Sequence, residues 1–429
     1  MIRFARSLLE LGFTNFRGVV AVASTLGAWT CLVWIGWLVR GARPPALALL
    51  ALPLLHAVTM LMLRLERRPH RVVANVRAQR LGRATARLWL GCSFAAAFAT
   101  GALATTAVLW LAGQELLGGL AVEAGPVAPA LRRGSSGALL DPLFRWLASA
   151  TMIAAGLAIG YGYTFGQRRV VVTRLRLPLR HLPPQLEGLR VVHVSDIHVG
   201  PYLPAAQLEG FVARINALEP DLVCITGDIV DNRVRDLDPA LPILARLRAR
   251  LGVVAILGNH DSNVGADAVA WRIERGTAFT LLRDARCTIT TPEGPLHIVG
   301  IEDRGGAIRQ SPDEEQRLRR LLAEVPAGET TILLAHRPNL FERAASAGVA
   351  LMLAGHTHGG QIALRLGRTR ILSFGRLLSR FCRGLFERDG AFLYVTHGLG
   401  VVGQPVRLGV QREIVLIELA TRRTSSQAA

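Results

Sequence analysis

The sequence of 429 residues contains no lysine; its 50 basic residues are all arginine, set against 31 acids for a net charge of +19. Beside so much alanine and glycine, an arginine-only set of cations reflects a GC-rich genome. The high isoelectric point therefore does not by itself signal a nucleic-acid partner. Cysteine is scarce as well. Cys31, Cys92, Cys224, Cys287 and Cys382 form no C-x-x-C pair and two of them fall in long apolar runs, which excludes a disulfide framework and a thiolate metal site. Internal repeats are absent beyond an alternation of strand and helix patterns. Low-complexity sequence is absent too, except for the short polar end 421–429, expected as a frayed tail.

What is present divides the chain in two. Residues 1–165 hold 16 arginines against five acids, +11, and residues 166–429 hold 34 against 26, +8. The first part contains four long apolar runs: Val19 to Val39, with Trp29, Trp34 and Trp37 between Arg17 and Arg40; Ala46 to Leu63; Leu88 to Ala112; and Trp146 to Phe165. Each has about the 18 residues needed to cross a hydrocarbon core, so four membrane spans are expected. The first is too long for a secretory signal and leads to no small-x-small cleavage site. Gly156 and Gly160 in the fourth permit close helix contact.

Between the second and third runs, Arg64, Arg67, Arg68, Arg71, Arg77, Arg80, Arg83 and Arg87 face only Glu66, which puts that loop in the cytoplasm. With four spans the amino terminus, carrying Arg3 and Arg6, and everything after the fourth span are cytoplasmic too. Residues 113–145 then form an outer loop of balanced charge.

The second part begins with an alternating strand pattern, Val170 to Leu177, punctuated by Pro178, Pro183 and Pro184. Five short motifs follow in order: Asp196-Ile197-His198, Gly227-Asp228-Ile229-Val230-Asp231, Gly258-Asn259-His260-Asp261, His336, and Gly355-His356-Thr357-His358. The first three each end an apolar run (Val191 to Ser195, Leu222 to Thr226, Val253 to Leu257) of the length and β-branching of a buried parallel strand. Leu208, Phe211, Val212 and Ile215 form a helical stripe between the first two. Loops at the carboxyl ends of neighbouring parallel strands share one edge of a sheet, so the five motifs can converge there.

The residue types suit a two-metal hydrolase. Two divalent cations about 3.5–4 Å apart can hold the oxygens of a phosphoryl group and acidify a water, and they need an anionic bridge. A carboxylate can bridge because it carries two oxygens, whereas an imidazole offers one lone pair; Asp228 is the best candidate. A mixed oxygen and nitrogen shell suits Mn, Fe or Zn better than Ca or Mg.

In the pattern D-x-H, G-D-x-x-D, G-N-H-D, H, G-H-x-H, roughly residues 170–420 resemble the calcineurin-like metallophosphoesterases. Gly359-Gly360-Gln361 after the last motif, the run Tyr394 to Gly400, Arg407 and Glu413 are similar to the membrane-associated branch of that superfamily, transmembrane proteins with a metallophosphoesterase domain. The resemblance implies two mixed β-sheets packed face to face with helices outside. It implies one metal on Asp196, His198, Asp228 and His358, and another on Asp228, Asn259, His336 and His356. It further implies His260 as general acid, oriented by Asp231, and a metal-bound hydroxide as nucleophile without a covalent enzyme intermediate. Certain UDP-diacylglucosamine hydrolases of lipid A synthesis are similar to this branch.

Other histidines read as structural: His193 and His297 inside strands, His56 inside an apolar run, His70 and His181 in basic segments. His397 near a strand end is a candidate substrate contact. Residues 362–388 carry Arg365, Arg368, Arg370, Arg376, Arg380, Arg383 and Arg388 against Glu387. Leu377, Leu378, Phe381 and Leu385 share one helical face there, with Leu372, Phe374 and Phe386 nearby, as in a helix lying on an anionic leaflet.

The expected protein is thus a four-span α-helical membrane domain, 1–165, then a cytoplasmic α/β domain, 166–420, and a flexible tail, 421–429. The expected activity is hydrolysis of a phosphodiester or pyrophosphate, lipid-linked or nucleotide-linked, at the bilayer, with two divalent metals and no specific nucleic acid. Two alternatives compete. A metal-dependent sensor without turnover would need no proton donor such as His260, and a membrane-tethered nuclease would need a basic, aromatic-bearing channel.

Overall fold

The computed structural model describes residues 16–40, 51–67, 76–123, 136–291, 294–305, 312–366, 370–373, 375–376 and 379–422. The chain divides into two compact units, Met1–Tyr163 and Thr164–Ala429.

The first unit is helical: α1 (Phe16–Arg40), α2 (Ala51–Arg67), α3 (Val76–Glu123) and α4 (Ser136–Thr164). Among the described residues two stretches are long and apolar enough to cross a membrane, Ala84–Gly113 and Pro142–Arg168. Ala21–Gly36 and Ala51–Arg64 are shorter apolar helices. Four spans are therefore not all recovered, and residues 46–50 of the second expected run lie outside the described residues. The arginine-rich stretch 64–87 is not a loop throughout, because α3 begins at Val76 and runs for 48 residues. Its arginine, alanine, leucine and glutamine are strong helix formers, so the helix continues past the apolar run at both ends.

Close contact in this unit occurs at Gly27, where an added Cβ would stand 2.4 Å from the main-chain nitrogen of Ala97. A Cβ added at Gly156 or Gly160, expected to serve that purpose, would meet nothing within 4 Å among the described residues. Indole hydrogen bonds join Trp34 to Ser149 and Trp89 to Thr59, both at 3.2 Å. Thr25 Oγ1 lies 3.2 Å from His56 Nδ1.

The second unit is built on two sheets. The first contains β1 (Val170–Leu179), β2 (Arg190–Val194), β3 (Leu222–Thr226), β4 (Val253–Ile256), β5 (Thr280–Leu281) and β14 (Arg412–Thr421), in the order β1-β14-β2-β3-β4-β5. The second contains β6 (Ala285–Thr291), β7 (Gly294–Ile301), β8 (Thr331–Ala335), β9 (Leu351–Ala354), β12 (Gly384–Arg388) and β13 (Ala391–Val395), in the order β12-β13-β9-β8-β7-β6. Both are mixed: β2, β3, β4 and β5 run parallel and β14 antiparallel to β2, while β7, β8, β9 and β13 run parallel with antiparallel partners at each edge. Pro178, which cannot donate to a ladder, sits on the edge strand β1.

Alternate residues of each strand enter different cores. Val191, Leu222, Cys224, Val254 and Ile256 of the first sheet meet Ile298, Ile332, Leu334, Leu351 and Leu353 of the second in one cluster between the sheets. Val192, Val223 and Ile225 face outward, under Leu208, Phe211, Val212 and Ile215 of α5 (Ala205–Asn216) and Val269 and Ile273 of α7 (Asn259–Gly276), which follows the short α6 (Leu241–Leu244). On the far side Val299, Leu333, Met352 and Leu393 lie under α8 (Pro312–Ala323) and α9 (Phe341–Ser346). Because both faces of each sheet are covered, the central strands read as unbroken apolar runs. The stripe expected on residues 208–215 is fully buried.

Among the described residues, 362–388 do not form the one continuous amphipathic helix expected, although Gly375 and Arg376 are helical. They contain a hairpin of β10 (Ala363–Leu366) and β11 (Arg370–Ser373) and then the edge strand β12, which holds Leu385 and Phe386. Phe374, Leu377 and Leu378 lie outside the described residues, as do Arg3, Arg6 and His70. Strand pairing and tertiary packing override the helical spacing here. Phe381 stands edge-on to Phe341 at 5.5 Å and to Phe386 at 5.1 Å, against the core under α9. Thr421, the first residue of the expected frayed tail, instead closes β14, and residues 423–429 lie outside the described residues.

Phe381→Ala should accordingly act on stability. It should remove the about 0.5–1.5 kcal/mol that an aromatic pair adds beyond area burial, seen as a lower unfolding midpoint, with binding to anionic vesicles unchanged. Vesicle binding that falls while the midpoint stays fixed would restore the membrane-helix reading.

Candidate metal centre

All five motifs lie just past the carboxyl ends of parallel strands: Asp196 after β2, Asp228 after β3, Asn259 after β4, His336 after β8 and His356 after β9. Main-chain hydrogen bonds lace the loops together, Asp196 to Gly227 and His198 to Asp228 at 3.0 Å each, and Gly355 to His336 at 2.9 Å. Asp196, His198, Asp228, His356 and His358 all have positive φ, between 49° and 69°. A side chain in that left-handed region costs of order 1–3 kcal/mol and persists only where its surroundings impose it. Glycines let those surroundings approach. A Cβ on Gly258 would stand 2.2 Å from Asp228 Oδ1, and one on Gly355 2.2 Å from Asp196 Oδ2.

Two groups of donor atoms result. In one, Asp196, His198 and His358 converge, with the Nε2 atoms of the two histidines 3.1 Å apart and His358 Nε2 3.3 Å from Asp196 Oδ1. In the other, Asp228, His336 and His356 converge, with His336 Nε2 3.2 Å from both Asp228 Oδ2 and His356 Nδ1. Asp228 Oδ2 is also 3.6 Å from His198 Nε2, so one carboxylate oxygen stands near both groups. A third trio, His198, Asp231 and His260, shares His198 with the first.

The donors suit cations. His336 Nδ1 donates to the Thr226 carbonyl at 2.7 Å, which aims Nε2 at Asp228. Oδ1 of Asn259 is buried with no hydrogen-bond partner among the described residues. Burial, with His336 and His198 respectively as neighbours, holds His356 and His358 well below the usual imidazole range, neutral and able to coordinate. Burial alone would raise Asp228, but His336, His260 and His198 around it hold it well below the usual carboxylate range. Asp196 is raised by burial and by Asp228.

Asp231 hydrogen-bonds His260 through its main chain, while its carboxylate stands at ion-pair distance. His260 Nδ1 donates to the Asp231 carbonyl at 2.8 Å, while Asp231 Oδ1 lies 3.6 Å from His260 Nδ1 and 3.5 Å from His198 Nδ1. A carbonyl can only accept, so Nδ1 carries a hydrogen and Nε2 is the nitrogen left for proton exchange.

Asp261 is a supporting residue that motif reading overlooked. Fully buried, it accepts from the main-chain nitrogens of Ile229, Val230 and Gly258, tying the Asp228 loop to the start of α7. An acid three places into a helix was its available signal. His193 bonds Thr226 Oγ1 at 2.9 Å and His297 lies 3.1 Å from Thr288 Oγ1, both structural as read. His397 packs its ring beside Gly359 and lies 3.7 Å from Glu413.

Although burial opposes it, Asp228 pushes His336 up to about 10, so without a cation His336 is protonated at neutral pH. A cation taken up at Nε2 must displace that proton. Manganese affinity should therefore rise about tenfold per pH unit below that value, with proton release visible by calorimetry in buffers of different ionisation enthalpy. A pH-independent affinity would contradict this.

Comparison with known proteins agrees with this geometry. The profile of the calcineurin-like phosphoesterases matches residues 189–360. The chain is 32% identical over 294 residues to the transmembrane protein with metallophosphoesterase domain of Danio rerio, covering 67% of this chain and 65% of that protein. It is 29% identical over 295 residues to the uncharacterized metallophosphoesterase YkuE of Bacillus subtilis, covering 67% and 99%. It is 32% identical over 253 residues to an uncharacterized metallophosphoesterase of Aquifex aeolicus, covering 58% and 91%. With its two clusters of histidine and aspartate donors for divalent metals, the chain belongs to the calcineurin-like phosphoesterase family of phosphoric ester hydrolases, in the branch of metallophosphoesterases with transmembrane members.

Proposed function

We propose that this chain is a membrane-anchored phosphoesterase that hydrolyses a phosphodiester or pyrophosphate with two divalent cations, manganese being the first to test. The observation that carries the reading is the meeting of two donor groups at Asp228 Oδ2, with His260 alongside. In this reading Asp196, His198, His358 and Asp228 hold one cation, and Asp228, Asn259, His336 and His356 the other. When bound, such a pair neutralises phosphoryl oxygens and acidifies water.

The chain's own part is to fix these donors before substrate arrives and to supply a proton. His260 is the acid for the departing alkoxide, turned by the Asp231 carbonyl so that Nε2 exchanges the proton. Its main-chain nitrogen donates to Asp228 Oδ1 at 2.8 Å, which ties the acid to the proposed bridge.

Membrane anchoring is supported by the two span-length apolar helices and by the transmembrane relative. Four spans rest on the four apolar runs, and a catalytic domain from residue 166 on the cytoplasmic side rests on the arginines of 64–87. A lipid-linked substrate now rests on the apolar helices alone, since the segment read as a membrane-lying helix contains strands.

A panel of lipid and nucleotide phosphoesters, given to the purified protein in manganese, tests the reading; no turnover of any diester or pyrophosphate overturns it. His260→Asn should keep both metals and lose about 100- to 10,000-fold on alkyl esters, with a smaller loss on p-nitrophenyl esters. Equal losses on the two would remove His260 as the acid. A reporter fused after Gln167 should give a cytoplasmic signal, and an external one would refute the span count and the orientation together.

A further inference from the structure

Behind the metal-binding edge, a buried guanidinium organises the loop that covers one half of the site. Arg407 is 1% exposed, and its five hydrogen bonds all go to main-chain carbonyls. Nη2 donates to His397 at 2.8 Å, Gly398 at 3.1 Å and Gly400 at 2.6 Å; Nε donates to Gly400 and Nη1 to Gln411, both at 3.2 Å. A planar fork of five donors can reach several carbonyls of one turn, whereas a lysine ammonium offers three donors from one point.

That turn presses on Asp196 and His198. Leu399 donates to the Ser195 carbonyl at 3.0 Å and Gly400 to the Asp196 carbonyl. A Cβ on Gly398 would stand 2.6 Å from Asp196 Cβ, and one on Gly400 would stand 2.4 Å from the Ile197 carbonyl and 2.7 Å from His198 Cβ. Asp196 and His198 are both left-handed residues, and the turn, together with the Gly227 and Asp228 carbonyls that accept from their main-chain nitrogens, holds them there. Glu413 secures the turn's base, accepting from Thr173, Tyr394 and Thr396 and from the main chain of His397. The other donor group is supported elsewhere, by Asp261 under the Asp228 loop and by the Thr226 carbonyl on His336.

We propose that Arg407 is a positioning residue for one of the two cations, the one held by Asp196, His198 and His358, and not for the other. The inference rests on the two-cation reading above. The Asp196 and Asp228 loops are hydrogen-bonded to each other, but Arg407 braces the turn behind only the first, so that one metal can be lost while the other stays.

The test uses the full-length protein in detergent, titrated with Mn(II) and followed by metal analysis and electron paramagnetic resonance. The wild-type titration is read first, and fewer than two ions per chain would refute the two-cation reading before any variant is made. Arg407→Lys and Arg407→Met should weaken one ion about 10- to 100-fold, the usual effect of losing a supporting partner. The ion that remains should keep its affinity and give the spectrum of His198→Asn, not that of His336→Asn. Gly400→Ala drives the same turn against Ile197 without touching Arg407, and should remove the same ion.

Two ions bound as in wild type, both weakened alike, or a remaining ion that matches His336→Asn would each overturn the proposal. If both Arg407 variants fail to fold, Gly400→Ala decides by the same outcomes. Failure of all three to fold also overturns it, because the turn would then serve the whole domain and not one metal.

Discussion

The centre depends on the burial of two carboxylates, Asp196 and Asp228, in a cluster at the edge of the sheet sandwich. Removing a carboxylate from water costs several kcal/mol unless opposite charge and hydrogen bonds replace the solvent. Each carboxylate accepts from a main-chain nitrogen of another motif, Asp196 from His356 and Asp228 from His260, and each faces imidazoles. The imidazoles differ in state: His336 takes a proton beside Asp228, while His356 and His358 stay neutral. Without a cation, a proton on His336 offsets part of the negative charge. With one, that proton is the group displaced.

The same constraint explains the backbone. Bringing donors from five strand ends within bonding distance requires chain reversals at the ligands themselves, and five of them adopt left-handed conformations that side chains disfavour. The fold imposes these conformations through rigid strand ends below and close-packed loops around, and glycines 258, 355, 398 and 400 stand where a Cβ would collide with the ligand segments. The supports are themselves polar and buried: Asp261, Arg407 and Glu413. Asp261 and Arg407 are satisfied by main-chain groups, and Glu413 by three hydroxyls and the main chain of His397, which keeps the strained loops rigid.

The arginine-rich stretch after the last motif shows how tertiary context redirects a local pattern. Its leucines and phenylalanines recur at helical spacing, yet Leu385 and Phe386 pair in an edge strand and Phe381 packs on Phe341. The segment is also joined to the metal loop. The Thr357 hydroxyl donates to the Cys382 carbonyl, and a Cβ on Gly360 would stand 2.9 Å from the nitrogen of Gly375.

The sequence by itself determined the strands and the motif residues at their ends. Apolar runs ending at Asp196, Asp228 and Asn259 could be read as strands because both faces of each are buried, and the stripe Leu208, Phe211, Val212, Ile215 as a helix because one face is. The motifs could be read because several histidines and acids together at strand ends serve little purpose in packing. Only the tertiary structure decided which donors face each other, that Asp231 reaches His260 through its carbonyl, and that Asp261 and Arg407 hold the loops from behind. Those relations join residues far apart in the chain and depend on register, tautomer and the direction of single carbonyls, which leave no periodic trace in the sequence.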